Sequence, residues 1–339
     1  MEMAIVRIGL DIAKLVFQVH GVDEHGKTKI RKTLSRGDLL EFFAKLPPCL
    51  VGIEACGGAH YWARELGRLG HDARLMASQF VIPYRKSGKN DANDAEAICE
   101  AVGRPNMRFV PVKSEEAQAI LTMHRARDLL VSERIALSNQ IGGLLGEFGI
   151  AVTRGMARLR RVMMEIQTGA RTLPLLAKET ICELYERMQQ LEAKAQEYER
   201  KISAMAKQSE AAKRLMAIEG VGPITATAIV ASVGDARLFR NGREFAAWLG
   251  LTPRQHSSGG KSRLGGISKR GDVRLRTLLI HRTRSVMRSA GGKSDRKSQW
   301  AVELQKRSCS NVAAVALAAK HARIMWAMLA KGTAYRTAA

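Results

Sequence analysis

The alternation of apolar and polar positions changes character twice along the chain. Near the start the apolar runs are short and β-branched. Ile5-Val6-Arg7-Ile8-Gly9-Leu10-Asp11 predicts a first strand, Leu15–Val22 alternates as a second, and Lys27–Leu34 follows the turn Asp23-Glu24-His25-Gly26 as a third. Ser35 is placed to cap a helix through Leu46, which Pro47-Pro48 stops. Leu50-Val51-Gly52-Ile53 is short and wholly apolar, as a central parallel strand should be, and it delivers Glu54 at its end. A tight turn at Ala55-Cys56-Gly57-Gly58, a helix through Gly70, a strand at Ala73–Ala77 and a helix opening on Asp91 and Asp94 follow, and Met107–Val112 closes the domain.

From Ser114 the period becomes helical. Leu130, Leu137, Ile141, Leu144 and Phe148 recur at heptad-like steps, and Ile181, Leu184, Met188, Leu191, Ala195, Tyr198, Ile202 and Met205 alternate by three and four. Such spacing predicts a coiled coil or a long helical hairpin. Gly149 to Pro174 reads as its connection, with a basic cluster at Arg154, Arg158, Arg160 and Arg161. After Leu215 comes MAIEGVGPITATAIVASVG, in which Gly220-Val221-Gly222-Pro223 separates two helix-like runs and Thr225 opens the second. This is the pattern of a helix-hairpin-helix, whose glycines would let backbone N–H groups of Gly220, Gly222 and Thr225 approach a phosphate. A plain inter-helix turn would use the same glycines. Trp248–Pro253 ends another helix, and Asn311 is placed to cap a last one that packs through Val312, Val315, Ala319, Met325 and Leu329. The predicted domains are 1–113, 114–210 and 211–339.

Charge decides what such a chain meets. Its 55 Lys+Arg against 32 Asp+Glu give a formal charge of +23 and a pI near 10.3. That imbalance points to a polyanion, most simply nucleic acid. An anionic membrane surface is the rival, but the longest uncharged apolar run near the C-terminus, Val312–Ala319, falls far short of the roughly 20 residues of a span. No secretory signal is expected, since Met1–Leu10 holds Arg7 and no hydrophobic region before a cleavage site. The five cysteines are scattered, with no CxxC pair, which argues for a reduced, cytosolic setting and against a zinc site.

Two stretches carry candidate chemistry. Asp91 and Asp94, three apart, share one face at a helix start, where acids are favoured in any case. Asp11 and Glu54 end apolar runs. Two acids at strand ends and two on a helix would make an oxygen cage for Mg²⁺ or Mn²⁺. The element order, a three-stranded meander and then alternating helix and strand, is that of an RNase H-like fold, in which strand-end acids face a helix acid across the metals. The second stretch is Pro253–Lys297, with thirteen Lys/Arg against Asp272 and Asp295 and no aromatic residue, suited to neutralising a phosphate backbone rather than stacking bases. Within it, Ser257-Ser258-Gly259-Gly260 is a small-residue loop whose hydroxyl could act as a nucleophile beside cations, although Ser-Gly pairs are mostly just loops.

Taken as ordered motifs, these residues resemble the DEDD-type transposases of the IS110 insertion-sequence family, IS1111 branch, over essentially the whole chain. GLDIAK around Asp11, GIEACGGAHYWAR around Glu54 and KNDANDAEAI around Asp91 and Asp94 resemble the family's four-acid site. EGVGPITATAIVASVGD and FAAWLGLTPRQHSSGGKSRLGGISKRGDVRLRTLL resemble its C-terminal transposase domain. The resemblance implies a resolvase-like N-terminal domain, a coiled-coil arm and a C-terminal domain that supplies a serine. It implies Mg²⁺ or Mn²⁺ on Asp11, Glu54, Asp91 and Asp94, and Ser258 as nucleophile with Ser257 its close competitor. Arg254, Lys261, Arg263, Lys269, Arg270 and Arg274 would hold nucleic acid. Donor and target DNA, a structured guide RNA and a homo-oligomer (dimer or tetramer) in the cytoplasm of a prokaryotic cell, at the nucleoid, would be the setting. Two other readings compete: a junction-resolving endonuclease that only hydrolyses, needing the acids but not the serine, and a non-catalytic nucleic-acid scaffold.

Overall fold

In the computed structural model, which describes residues 4–86, 88, 90–153 and 155–335, the chain divides into two units, Met1–Glu115 and Glu116–Ala339. Lys89 and Arg154, which belong to the motifs above, lie outside the described residues.

The first unit is built on a six-stranded mixed sheet. Strands β1 (Arg7–Ile12), β2 (Val16–Val22) and β3 (Thr28–Ser35) form the expected antiparallel meander. Helix α1 (Leu39–Ala44), β4 (Leu50–Glu54), α2 (Ala59–Arg68), β5 (Asp72–Met76), α3 (Ser78–Val81), α4 (Asp91–Val102) and β6 (Phe109–Val110) follow. The order across the sheet is β3-β2-β1-β4-β5-β6, with β1, β4 and β5 parallel and β6 antiparallel to β5. This arrangement is compatible with an RNase H-like domain. Helix α1 begins later than expected. Ser35 stays in β3, paired with Val16, and gives its hydroxyl to Asp38, the residue that precedes the helix.

Side-chain alternation splits the sheet into two faces. Ile8, Leu10, Phe17, Val51 and Ile53 point one way, into a core closed by Leu39 and Phe43 of α1 and Trp62 and Leu66 of α2. On the other face the two central strands carry Gly9 and Gly52, which lie side by side in register. A Cβ on Gly9 would come within 2.1 Å of the Ala95 carbonyl oxygen and 2.3 Å of the Cys99 nitrogen, and one on Gly52 would meet Val102 at 2.7 Å. Helix α4 therefore rests on bare backbone, and only glycine permits that approach.

The second unit starts with a long helical hairpin. Helices α5 (Glu115–Glu147) and α7 (Leu175–Gln208) run antiparallel, tied by Arg127 to Glu199 and by Arg134 to Glu192 at 3.2 Å. The heptad positions of α7 are largely buried. On α5 the buried seam ends on Ile141 and Leu145, while Leu144 is partly buried and Phe148 exposed. The expected plain connection holds a helix, α6 (Met156–Gln167), whose Leu159, Met163 and Ile166 fill the hairpin tip against Ile141, Leu145, Ile181 and Met188. Their three–four spacing is present in the sequence, but the neighbouring arginines obscure it.

Beyond the hairpin come α8 (Glu210–Met216), α9 (Pro223–Val233), α10 (Gly242–Trp248), the hairpin strands β7 (Pro253–Gln255) and β8 (Leu264–Ile267), then α11 (Val273–Ala290), α12 (Arg296–Arg307) and α13 (Ser310–Lys331). The basic stretch is thus not wholly loop, because α11 buries Leu275, Leu279, Val286 and Met287. Helix α13 has Cys309 at its N-cap position, two residues before the expected Asn311 and without a side-chain capping bond, and packs through Ala313, Ala314, Leu317, Ala318, His321, Ala322 and Met325, leaving Val312 exposed. By length and composition α13 could cross a membrane, but it packs against α10 and α11, as a core helix does.

Candidate active site

The glycine pair of the sheet sets the position of the acids. Asp11 and Glu54 each stand two residues beyond a glycine, so they leave the sheet on the face that α4 covers. Helix α4 runs back along the strands: Val102 sits over Gly52 and Ala95 over Gly9, which carries its first turn, with Asp91 and Asp94, toward the strand ends. Asn90 caps that turn by accepting the Asn93 N–H at 2.8 Å. Electrostatics show the four acids as neighbours. The Asp11 carboxyl is pushed up from 3.8 to about 6, by burial first and then by the negative charges of Asp91, Asp94 and Glu54.

These carboxylates do not yet form a closed ligand set. Among the described residues no three His, Cys, Asp or Glu side chains converge as a metal's ligands would. Two of the acids are held by neighbours that the sequence did not single out. Ser78, at the start of α3, donates its hydroxyl to Glu54 at 2.5 Å, and Arg85 pairs with Asp94 at 3.2 Å. These two partners engage two of the four acids. The donors fit a hard divalent cation: all are carboxylate oxygens, and the half-buried Asp11 has no positive neighbour among the causes of its shift. Cys56 lies beside them, its thiol pushed up by burial and by Glu54 and Asp11, so it is not a reactive thiolate.

In the second unit the serine loop is the tip of the β7–β8 hairpin. Ser258 and Lys261 bridge across it, with the Lys261 N–H donating to the Ser258 carbonyl at 3.0 Å, and Gly259 (φ 55°) and Gly260 (φ 75°) make the turn. This is a two-residue turn with both central φ values positive, which is why two glycines stand there. The two serines differ. Ser257 Oγ accepts from Gln255 Nε2 at 3.0 Å and from the Arg263 N–H at 3.2 Å, so it knits the hairpin together. Ser258 is exposed, and its hydroxyl has no hydrogen-bond partner among the described residues. Arg254, Lys261, Arg263, Lys269 and Arg270 are exposed around it, without an ion pair among the described residues.

Among the predicted nucleic-acid contacts, Arg274 has other partners. Arg274 pairs with Asp128 and donates to His124 Nδ1 at 3.1 Å. His124 is thereby fixed with its proton on Nε2, which it gives to Thr227 Oγ1 at 2.9 Å, and Thr227 donates in turn to the Pro223 carbonyl at 2.7 Å. Thr225 is fully buried and cannot present its hydroxyl to a ligand. Gly220 has φ 78°, and a Cβ there would lie 2.5 Å from Val286, so its glycine is required by the turn and by close packing on α11. Gly222 alone has open space, with the Arg282 guanidinium nearby. A missed residue supports the loop from beneath: buried Arg276 donates to the Leu249 and Arg270 carbonyls, both at 3.2 Å.

A mixed sheet with acids at the ends of its central strands and at the start of the helix laid across them is compatible with an RNase H-like transposase of the DEDD type, a class that cuts DNA and transfers strands and that generally uses divalent metal ions. Comparison with known proteins carries the assignment further. A profile described as "Transposase", that of the IS110 DEDD transposases, matches residues 8–150, and one described as "Transposase IS116/IS110/IS902 family" matches residues 212–299. The "Probable family 20 transposase" of Pseudomonas aeruginosa is 55% identical over 336 residues, 98% of this chain and 99% of that protein. The "Transposase for insertion sequence element IS1111A" of Coxiella burnetii is 43% identical over 333 residues, 98% of this chain and 92% of that protein. A third, for IS1328 of Yersinia enterocolitica, is 42% identical, covering 97% of this chain and 98% of its own length. The chain belongs to the IS110 family of transposases.

Proposed function

We propose that the protein moves an insertion sequence by cutting and rejoining DNA strands with two sets of groups, the acids of the first unit and the serine of the second. Asp11, Glu54, Asp91 and Asp94 would hold one or two Mg²⁺ or Mn²⁺ ions, and a bound ion there polarises a scissile phosphate and steadies the leaving oxygen. Ser258 attacks phosphorus: its Oγ–P bond forms as the strand's own P–O bond breaks, and the proton that the serine hydroxyl gives up ends on the departing oxygen. The phosphodiester energy is kept in a serine–DNA link, so rejoining needs no ATP. Arg254, Lys261, Arg263, Lys269 and Arg270 hold the backbone and offset the charge of the reacting phosphate.

The observation that carries this reading is the Asp11 carboxyl pushed up to about 6, by burial first and then by the charges of Asp91, Asp94 and Glu54, a repulsion that a cation would relieve. The choice of Ser258 over Ser257 is supported by the hairpin bonds that occupy Ser257 and leave Ser258 free. A structured guide RNA belongs to the same reading, supported by a net charge of +23, more than a few phosphate contacts consume, and a homo-oligomer enters it through the family resemblance alone. The long helical hairpin closes its seam within one chain and does not by itself call for a partner copy.

The test is strand exchange between element ends and target. Ser258→Ala should abolish exchange and the covalent protein–DNA adduct while leaving nucleic-acid binding intact; full recombination by this variant would remove the serine from the reaction. Asp11→Asn should lose metal-dependent cleavage, and unimpaired cleavage would remove the acids from it.

A further inference from the structure

A cleft of about 510 Å³ in the second unit is used by none of the groups above. One wall is apolar, made by Ile324, Ala327 and Met328 of α13, and Tyr335 closes one side. Four cations, Lys293, Arg296, Lys297 and Lys320, face two carboxylates, Glu219 and Asp295. The carboxylates are spent. Glu219 binds both Lys293 and Lys297, the latter at 2.7 Å, and Asp295 caps α12 by accepting the Ser298 N–H at 3.0 Å.

The remaining two cations have no acid. Arg296 is exposed and Lys320 half-buried, and neither forms an ion pair among the described residues. Lys320 Nζ lies over the Trp300 ring, 4.7 Å from its centroid. Its ammonium is held below the ordinary lysine value by burial and by Arg323, Arg296 and Lys297, with Asp295 acting in the opposite sense. The volume falls within the roughly 300–1,000 Å³ of small-molecule sites, far more than one phosphate needs. An apolar wall and an aromatic ring beside unpaired cations suit a ligand with a flat apolar end and an anionic end.

We propose that this cleft binds a nucleoside phosphate, with the phosphate on Arg296 and Lys320 and the base against Tyr335, Ile324 and Met328. The site rests neither on the carboxylate cluster nor on Ser258. Its ligand chemistry has two sources, a free nucleotide or one unit of a nucleic-acid strand.

Equilibrium binding to the full-length chain separates them, with AMP, GMP, CMP and TMP as one set of probes and a short single-stranded DNA of mixed sequence as the other. Arg296→Ala/Lys320→Ala should weaken whichever probe occupies the cleft roughly tenfold or more. Tyr335→Leu should weaken it about fivefold through lost stacking. Arg187→Ala/Lys207→Ala, which removes the same charge from exposed positions of α7, should leave mononucleotide binding unchanged and strand binding within about twofold. Mononucleotide binding lost on changing the cleft identifies a free nucleotide as sufficient; strand binding alone, lost in the same way, identifies a strand unit. Equal losses in the cleft and control variants, or no loss in the cleft variants, would overturn the site. Arg296→Glu, at an exposed position, gives the same reading should the double variant fold poorly.

Discussion

Removing the charge of Asp11 while keeping its shape should strengthen the metal-free fold. In the folded chain the carboxyl titrates at about 6 rather than 3.8, so the fold holds its proton more tightly than the unfolded chain does. The sign follows directly: the fold is at its best below pH 3.8, loses stability as pH rises through about 6, and bears the full cost above it. At ~1.4 kcal/mol per pH step, the gap from 3.8 to about 6 sets an upper limit of ~3 kcal/mol. Asp11 is only half-buried, and solvent screens part of that repulsion, so about 1–2 kcal/mol is expected. Asp11→Asn abolishes the charge and hence the cost.

The assay is thermal or urea unfolding with EDTA present, from pH 4 to 8, following the transition of the first unit by hydrogen exchange in β1 and α4. The variant should match the wild type near pH 4, gain on it up to pH 6, and stay ahead above. Added Mg²⁺ should then raise the wild type toward the variant and stabilise the variant less, because ligand binding stabilises only as far as it prefers the fold. A variant weaker than wild type at pH 7 in EDTA, or a difference that ignores pH, would refute the reasoning. Equal stabilisation of both proteins by Mg²⁺ would remove Asp11 from the ligand set.

Other perturbations test the supports of the two sites. Gly9→Ala places a methyl group against backbone atoms of α4 at 2.1 and 2.3 Å, so the helix must lift, with a loss of about 3 kcal/mol in unfolding measurements and weaker metal binding; an unchanged midpoint would show that α4 is not seated as described. Burial holds the His124 and His321 imidazoles down at about 4, so stability is present above pH 6.5 and lost as pH falls toward 4, by at most ~3 kcal/mol for each. A His321→Leu variant should show a flatter urea midpoint over that window, and an unchanged slope would contradict it. Ser257→Ala removes two hydrogen bonds of an exposed hairpin and should reduce recombination several-fold without abolishing the covalent adduct; a dead Ser257 variant beside an active Ser258→Ala would exchange their roles. Arg276→Met frees the Leu249 and Arg270 carbonyls and should cost about 2–3 kcal/mol, read as loss of protection in residues 249–255.

Much of the first unit was legible because each of its signals is local. A meander is written in period-two alternation, and a central strand in an unbroken apolar run such as Leu50–Ile53. Locating α6 and α12 required the three–four spacing to be followed through dense charge, where arginine and lysine stems cover apolar surface and blur the period. The fates of Arg274 and Thr225 were not legible at all. Both sit where a phosphate-binding motif would put them, but Asp128, which claims Arg274, lies 146 residues away in sequence.

The most informative signal in the candidate site is one the motifs contain without announcing. Gly-Leu-Asp and Gly-Ile-Glu repeat on two strands that pair glycine to glycine. An acid at a strand end is ordinary, and so is a glycine in a strand; the same two-residue offset on neighbouring parallel strands is not. The offset puts glycine and acid on one face, and the missing Cβ atoms admit a helix at backbone distance. That helix must then place its first turn beside both acids, and here the turn reads Asp-Ala-Asn-Asp. The close approach concentrates four negative charges where a looser helix would have let them separate. The glycines cost strand stability and the acids cost repulsion, and the cation proposed for this site would offset the second.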